Sequence, residues 1–208
     1  MKELFNRLIT EKVKPYLKSE GFEKKGLSFY KSSGDLIYLF NFQNSRGNSA
    51  DQTTFYINCG IHSTTVDKVI GAKENPEPKE YECYFQDRIS ALTNSSNDDF
   101  SIDKQTSIEK IAADVLKELT TAIQFYNAIN STVELTDLMI ERNGLNNYSE
   151  LFEYLLKTKD DTRVILLAKK LFSDFGTDDR WEIFEDALND LLRQNKNEQT
   201  ITEIINLK

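Results

Sequence analysis

The chain has two cysteines and one histidine, and these are the residues whose types could do chemistry. Cys59 and His62 form a Cys-x-x-His pair, which is a fragment of a zinc site. On a strand, side chains three residues apart point to opposite faces, so this spacing works against shared ligation. A nucleophilic pair of Cys83 and His62 would require their strands to be neighbours. We therefore predict no metal and no cofactor, and we interpret the thiols as small buried apolar groups.

Other catalytic patterns are missing or have a simpler interpretation. The eight glycines form neither G-x-x-x-x-G-K-[ST] nor G-x-G-x-x-G, and no G-x-S-x-G is present. The acidic pairs Asp98-Asp99, Asp160-Asp161 and Asp178-Asp179 have the composition of cation sites or acid–base pairs. At helix starts, however, adjacent carboxylates more commonly cap the helix and interact with its dipole. The sequence therefore leans away from an enzyme and leaves that class open.

Three polar residues suggest a ligand pocket beside a sheet. Arg88 lies in a strand-like run. If its guanidinium points into the protein, it needs a carboxylate or a ligand as its partner. If it points outward, the strand is half exposed and no partner is needed. Gln43 and Arg46 lie at the far end of another strand-like run. We therefore take Gln43, Arg46 and Arg88 as the candidate ligand-binding residues.

The elements that must position these residues follow from hydrophobic periodicity in residues 1–130. Apolar residues at helical spacing predict helices over Glu3–Glu20 and Thr106–Asn130. Period-2 or apolar runs predict strands over Leu27–Lys31, Leu36–Gln43, Thr53–His62 and Glu82–Leu92. Short polar turns between the first three strands favour antiparallel pairing, because parallel pairs need long crossovers. We predict an α+β domain with an antiparallel sheet of about four strands and flanking helices.

The remaining chain is helical in pattern and predicts a C-terminal helical bundle over residues 131–208. One helix, near Val133–Arg142, is predicted to end at Asn143-Gly144. The others are Tyr148–Lys157, Asp161–Phe175 and Asp178–Gln194, with Asp161 and Asp178 at N-cap positions and Gly176 at a C-cap.

Charge is uneven along the chain and bears on the choice of partner. The net charge is −8, which argues against a nucleic-acid backbone as the main partner. Residues 1–30 hold seven basic and four acidic residues, whereas residues 131–208 hold ten basic and sixteen acidic ones. One hypothesis is that the acidic end binds a basic protein partner through Asp178, Asp179, Glu182 and Glu185. The alternative is that these charges only cap helices and keep the protein soluble.

The sequence shows no targeting segment and no membrane span. The first residues carry charges at every turn without an apolar stretch, and nowhere do 18 apolar residues run together. Two cysteines make no disulfide framework. We expect a cytoplasmic protein.

In the first 130 residues the opening helix is followed by the segments GFEKKGLSFYK, NFQNSR, FYINCGI and CYFQDRISAL, and then by the long helix from Ile108. In this order and spacing, this part of the chain resembles the bacterial domain family of unknown function DUF4304. The resemblance implies an antiparallel sheet with flanking helices and implies no activity. Some small acidic bacterial domains act as immunity proteins, an analogy at the level of fold and charge.

Two functional hypotheses follow. The favoured one is a protein-interaction module, immunity-like or regulatory, that uses its acidic surface. The alternative is a small-ligand-binding protein or enzyme with a pocket beside the sheet.

Overall fold

The chain divides into two compact units, which do not each run continuously along the sequence. The structure, a computed structural model, describes residues 1–142 and 146–207. One unit contains Met1–His62 and Pro76–Ser131, and the other contains Ser63–Asn75 and Thr132–Lys208. Separate folding of residues 1–130 and 131–208 stays a prediction. The predicted helix end at Asn143-Gly144 lies outside the described residues.

The described helices and strands are as follows. The helices are α1 (Lys2–Arg7), a π-helical segment (Leu8–Val13), α2 (Lys14–Ser19), α3 (Thr64–Ile70), a 3-10 turn (Glu80–Glu82), α4 (Ile89–Thr93), α5 (Ile108–Asn127), α6 (Thr132–Arg142), α7 (Tyr148–Thr158), α8 (Asp161–Phe175), α9 (Trp181–Gln194) and α10 (Ile201–Ile205). The strands are β1 (Glu23–Lys25), β2 (Ser28–Ser33), β3 (Leu36–Asn44), β4 (Gln52–Ser63), β5 (Phe85–Arg88) and β6 (Asp99–Asp103). None of these helices combines the length and the apolar character needed to cross a membrane.

The first unit contains an antiparallel sheet, which confirms the predicted α+β class. The strand order is β1-β2-β3-β4-β5, and β6 also pairs with β4. The described residues form six strands, more than the predicted four. The predicted strand Glu82–Leu92 is shorter than expected, because the chain turns into α4 after Arg88. It then returns as β6, which pairs with the first half of β4 while β5 pairs with the second half.

One face of this sheet is covered by helices that pack aromatic rings against it. Phe5, at the start of the first helix, lies 5.0 Å from Phe55 between ring centroids. Tyr126 of α5 lies 5.0 Å from Phe40 and 5.1 Å from Tyr38. All five side chains are buried, and such pairs add about 0.5–1.5 kcal/mol each beyond their area burial.

The opposite face is covered at one end only. Cys83 lies over Gly60, where a Cβ atom would lie only 2.6 Å from the Cys83 Sγ and 3.6 Å from the Leu39 Cβ. From the helix-covered face, Tyr126 reaches between β3 and β4. Its buried hydroxyl donates to the Leu39 carbonyl at 2.6 Å and accepts from the Gly60 N–H at 3.1 Å. Towards Gln43 the face under Cys83 becomes exposed. The open end of this face is where polar side chains from several strands meet.

The second unit is helical, as predicted for the C-terminal part of the chain. Within it α3 packs on α7, α7 packs on α8 and α9, and α10 packs on α8 and α9. The N-cap of α8 is Asp160 rather than the expected Asp161, because the Asp160 side chain accepts from the Arg163 N–H at 3.1 Å. Gly176 is the C-cap of α8, as predicted, with φ −61° in the right-handed helical region.

Candidate functional site

A row of polar side chains crosses the open end of the sheet from β2 to β5. Ser28 lies opposite Asn41 in the register of β2 and β3, and Asn58 lies opposite Arg88 in the register of β4 and β5. The Asn41 Nδ2 donates to the Ser28 Oγ at 3.0 Å, and the Asn58 Nδ2 donates to the Asn41 Oδ1 at 3.3 Å. We call Ser28, Asn41, Asn58 and Arg88, together with the flanking Gln43, the polar row.

Arg88 is held in this row by neutral groups. Its Nη1 donates to the Gln43 Oε1 at 3.3 Å and to the Asn58 Oδ1. Its guanidinium carbon lies 4.4 Å from the centroid of the Tyr56 ring, a cation–π contact. Among the described residues no carboxylate oxygen lies within 4.0 Å of the guanidinium. Arg88 is therefore a half-buried cation that the described part of the chain leaves without an anionic partner.

The hydrogen bonds of the polar row use up acceptors and leave donors. A guanidinium has no acceptor, so its contacts with Gln43 and Asn58 must be made to their amide oxygens. The Gln43 Oε1 also accepts from the Asn58 Nδ2 at 3.0 Å. The Gln43 Nε2 and the Nε and Nη2 groups of Arg88 have no hydrogen-bond partner among residues 1–142 and 146–207. Because unused donors surround a positive charge, the open end of the sheet suits an anion.

The structure brings together two of the three residues predicted for a ligand site. Gln43 and Arg88 are in contact, whereas Arg46 lies exposed beyond the end of β3 and takes no part in the described polar row. Sequence reasoning missed Asn58 and Tyr56, which hold the guanidinium. The polar amide of Asn58 inside the apolar run FYINCGI could have indicated a functional residue. Its contact with Arg88 could not be predicted, because that contact depends on the register of β4 and β5.

The four acidic residues predicted for partner binding differ in their surroundings. The Asp178 carboxylate accepts from the Arg180 side chain at 2.9 and 2.7 Å and from its backbone N–H at 2.9 Å. These contacts, led by the side-chain hydrogen bond, lower the pKa of Asp178 to about 2. Glu185 accepts from the Thr202 hydroxyl at 2.7 Å. Asp179 and Glu182 are exposed.

The thiols and the histidine lie in the core of the first unit. Burial raises the pKa of the Cys59 and Cys83 thiols, which is the opposite of the activation that a nucleophilic cysteine needs. The His62 ring stacks on Tyr84 with centroids 5.1 Å apart, and its Nδ1 lies 3.2 Å from the Glu82 carbonyl oxygen. Within the described residues no three His, Cys, Asp or Glu side chains gather as a metal-binding group.

Comparison with known proteins identifies a family for the sheet-containing part of the chain. The model of a family described as a domain of unknown function, DUF4304, matches residues 13–128. This range contains the whole polar row. No curated protein and no solved structure matched the chain.

Proposed function

Because this chain belongs to the DUF4304 family, a domain of unknown function, we propose a function from the geometry: it is a binding protein that takes an anionic group on its polar row. The anion is a carboxylate or a phosphate carried by the ligand. One observation carries the proposal: among the described residues, the guanidinium of the half-buried Arg88 contacts only neutral amides and an aromatic ring, while the neighbouring Asp87 carboxylate accepts from the Arg88 backbone N–H at 2.8 Å.

Partial burial of the Arg88 guanidinium has a cost in free energy that an anion would offset. A guanidinium that is partly removed from water loses solvation, and neutral amides restore only part of it. Charge-assisted hydrogen bonds contribute about 1.5–3 kcal/mol each, and a carboxylate or phosphate can accept two parallel ones from Arg. The contacts with Tyr56, Asn58 and Gln43 hold the guanidinium in place, so little side-chain entropy remains to be lost on binding.

The groups in the polar row favour binding over catalysis. Amides, a hydroxyl and a guanidinium are residue types that do not change charge near neutral pH, so none of them is suited to general acid–base catalysis. We therefore propose that the protein binds the anionic ligand without converting it, at the exposed end of this face of the sheet.

Thermal shifts of the full chain with defined anions test this proposal. The panel contains acetate, succinate, citrate, inorganic phosphate and glucose 6-phosphate, which separates carboxylates from phosphates. A ligand at ten times its Kd stabilises the protein by about 1.4 kcal/mol, which is roughly 3–6 °C for a chain of 208 residues. We expect a shift of that size for at least one member of the panel.

Two variants show whether such a shift comes from the polar row. Arg88→Gln removes the guanidinium and should abolish the shift, whereas Arg46→Gln makes the same change at an exposed position outside the row and should keep it. Arg88→Lys keeps the charge and loses bidentate geometry, so it should keep only part of the shift. The proposal fails if Arg88→Gln responds like the unchanged protein, or if no anion up to millimolar concentration stabilises it.

A second candidate is binding of a basic protein partner through the acidic start of α9, in an immunity-like or regulatory role. It is supported by Ile183, which is 68 % exposed and follows the exposed Glu182 directly. An apolar side chain among carboxylates suits a basic surface with an apolar centre. Carboxylates there would speed encounter more than they add affinity, so binding should weaken with salt.

Affinity capture from the native host tests this second candidate. In one variant Asp178, Asp179, Glu182 and Glu185 are all changed to the neutral amides, and in a second only the exposed Asp179 and Glu182 are changed. Both should lose a partner that the unchanged chain retains at low salt. Recovery of the same partner by the fully neutralised variant would refute the acidic-surface hypothesis.

A further inference from the structure

The strand β6 lies at an edge of the sheet and leaves backbone groups without a strand partner. Among the strands of the described residues it pairs with β4 only. The Thr54 carbonyl accepts from the Ser45 N–H beyond β3, so the backbone groups of Thr54 point towards β3. Backbone groups alternate sides along a strand, so those of Phe55 point towards β6, where Phe100 lies opposite. The N–H and C=O of the next residue, Ser101, therefore point away from β4.

A cleft runs between β6 and the first three turns of α5. Its volume is about 650 Å³, and its lining includes Asp99, Ser101, Asp103, Lys110, Asp114 and Glu118. At one end the Thr106 hydroxyl accepts from the Asp103 N–H at 2.9 Å, and the Thr106 N–H donates to the Asp103 carbonyl at 3.3 Å. This turn closes the edge after Asp103, so the open stretch is centred on Ser101.

The cleft also contains an unsatisfied acceptor. The Glu118 Oε2 is buried and has no hydrogen-bond partner in the described part of the chain. A carboxylate with one buried oxygen that has no donor is partly desolvated at a cost of about 1–3 kcal/mol or more, so a donor that reaches the accessible part of the carboxylate from the cleft is favoured. The lining contains four carboxylates against two lysines, and the missing donor is therefore expected to be cationic.

We propose that an extended segment of a partner protein adds to the sheet along β6, with a Lys or Arg side chain that reaches Glu118. The exposed edge supplies main-chain hydrogen bonds and the cleft supplies selectivity, as in other cases of strand addition. Charge complementarity decides between a basic partner and a second copy of this chain. Two copies paired through β6 would bring the aspartates of both cleft edges together, which disfavours self-association. This surface is distinct from the polar row and needs no anion there.

Proline and alanine at position 101 isolate the backbone contribution. Ser101→Pro removes the side-chain hydroxyl and an N–H that points out of the sheet, and proline is tolerated on edge strands in that orientation. Ser101→Ala loses the same hydroxyl, which lies 3.0 Å from the Thr54 hydroxyl, and keeps the N–H. The difference between these two variants therefore measures the outward N–H.

The probe is a library of random dodecapeptides displayed on phage and selected on the full chain, followed by synthesis of the enriched peptides. We expect enriched sequences that contain Lys or Arg and lack central proline. By fluorescence polarisation, Ser101→Pro should weaken their binding at least fivefold relative to Ser101→Ala. Glu118→Gln should weaken binding of the enriched peptides about tenfold. The same substitution should leave unchanged the affinity for a peptide whose basic residue is replaced by norleucine.

Hydrogen exchange in the unchanged protein gives a measurement that does not depend on any variant folding. Bound peptide should slow exchange of the Ser101 amide at least tenfold. The proposal is overturned if no peptide is enriched, if Ser101→Pro binds as well as Ser101→Ala, or if the peptide protects other amides and leaves Ser101 unchanged. Sedimentation showing a dimer that Ser101→Pro dissociates would also overturn it, in favour of a second copy.

Discussion

Substitution of Gly60 by alanine is expected to destabilise the first unit because of one specific contact. The new Cβ atom would lie 2.6 Å from the Cys83 Sγ and 3.1 Å from the Cys83 Cβ. Both residues are buried, so neither side can move into solvent. Overpacking of this kind costs about 1–3 kcal/mol, and replacing a strand glycine by alanine recovers about 0.5–1 kcal/mol. The expected net loss of unfolding free energy is therefore about 1–2 kcal/mol.

A double-mutant cycle separates this contact from any general intolerance of the strand. In a Cys83→Ala background the sulfur is absent, and only the 3.1 Å approach to the remaining Cβ is left. Gly60→Ala should then be close to neutral, which corresponds to a coupling energy of about 1–2 kcal/mol. Gly47→Ala is the matched control, because its Cβ would meet only the Ser45 Oγ, at 3.8 Å.

Urea unfolding followed by circular dichroism measures these differences as shifts of the midpoint at constant slope. The single tryptophan, Trp181, belongs to the second unit, so its fluorescence reports on that unit separately. A steric clash with Cys83 is refuted as the cause if Gly60→Ala costs the same in both backgrounds, or if it leaves the midpoint unchanged while Cys83 is present.

Three further predictions concern single side chains. Tyr126→Phe leaves two buried backbone groups without their hydroxyl partner and should cost about 2–4 kcal/mol, whereas Tyr16→Phe, which removes a hydrogen bond to the exposed Thr120 hydroxyl, should cost about 1 kcal/mol or less; equal urea midpoints would contradict this. Because burial raises the pKa of both cysteine thiols, a disulfide reagent at pH 8 should react only after urea is added, and fast reaction of the native protein would contradict this. Since the pKa of Asp178 is lowered to about 2, its contribution to stability is present above its unfolded pKa of about 3.9 and is lost as pH falls towards 2. In an NMR titration of the Arg180→Gln variant, the titration midpoint of Asp178 should move up towards about 3.9. An unmoved midpoint would contradict the pairing of Asp178 with Arg180.

The class of fold and most elements could be predicted because they depend on local pattern. Period-2 alternation in Leu36–Gln43 places aromatic residues on one face, and this face is the one that α5 covers. The elements that were missed are short. The strand β6 lies in a polar stretch and exists because β4 is long enough to pair with two strands, while α3 and α10 are single short helices that depend on packing within the second unit.

The sequence alone identified Gln43 and Arg88 as polar residues in strand-like runs and placed a basic and an acidic end on the chain. Whether Arg88 has a partner could not be predicted, because its neighbours come from other strands through a register that local pattern does not specify. The same holds for the Ser101 edge and for the buried oxygen of Glu118, which share a cleft although they lie on different elements. Periodicity along a chain determines which face a side chain takes, and only the pairing and packing of distant segments decide what that side chain meets there.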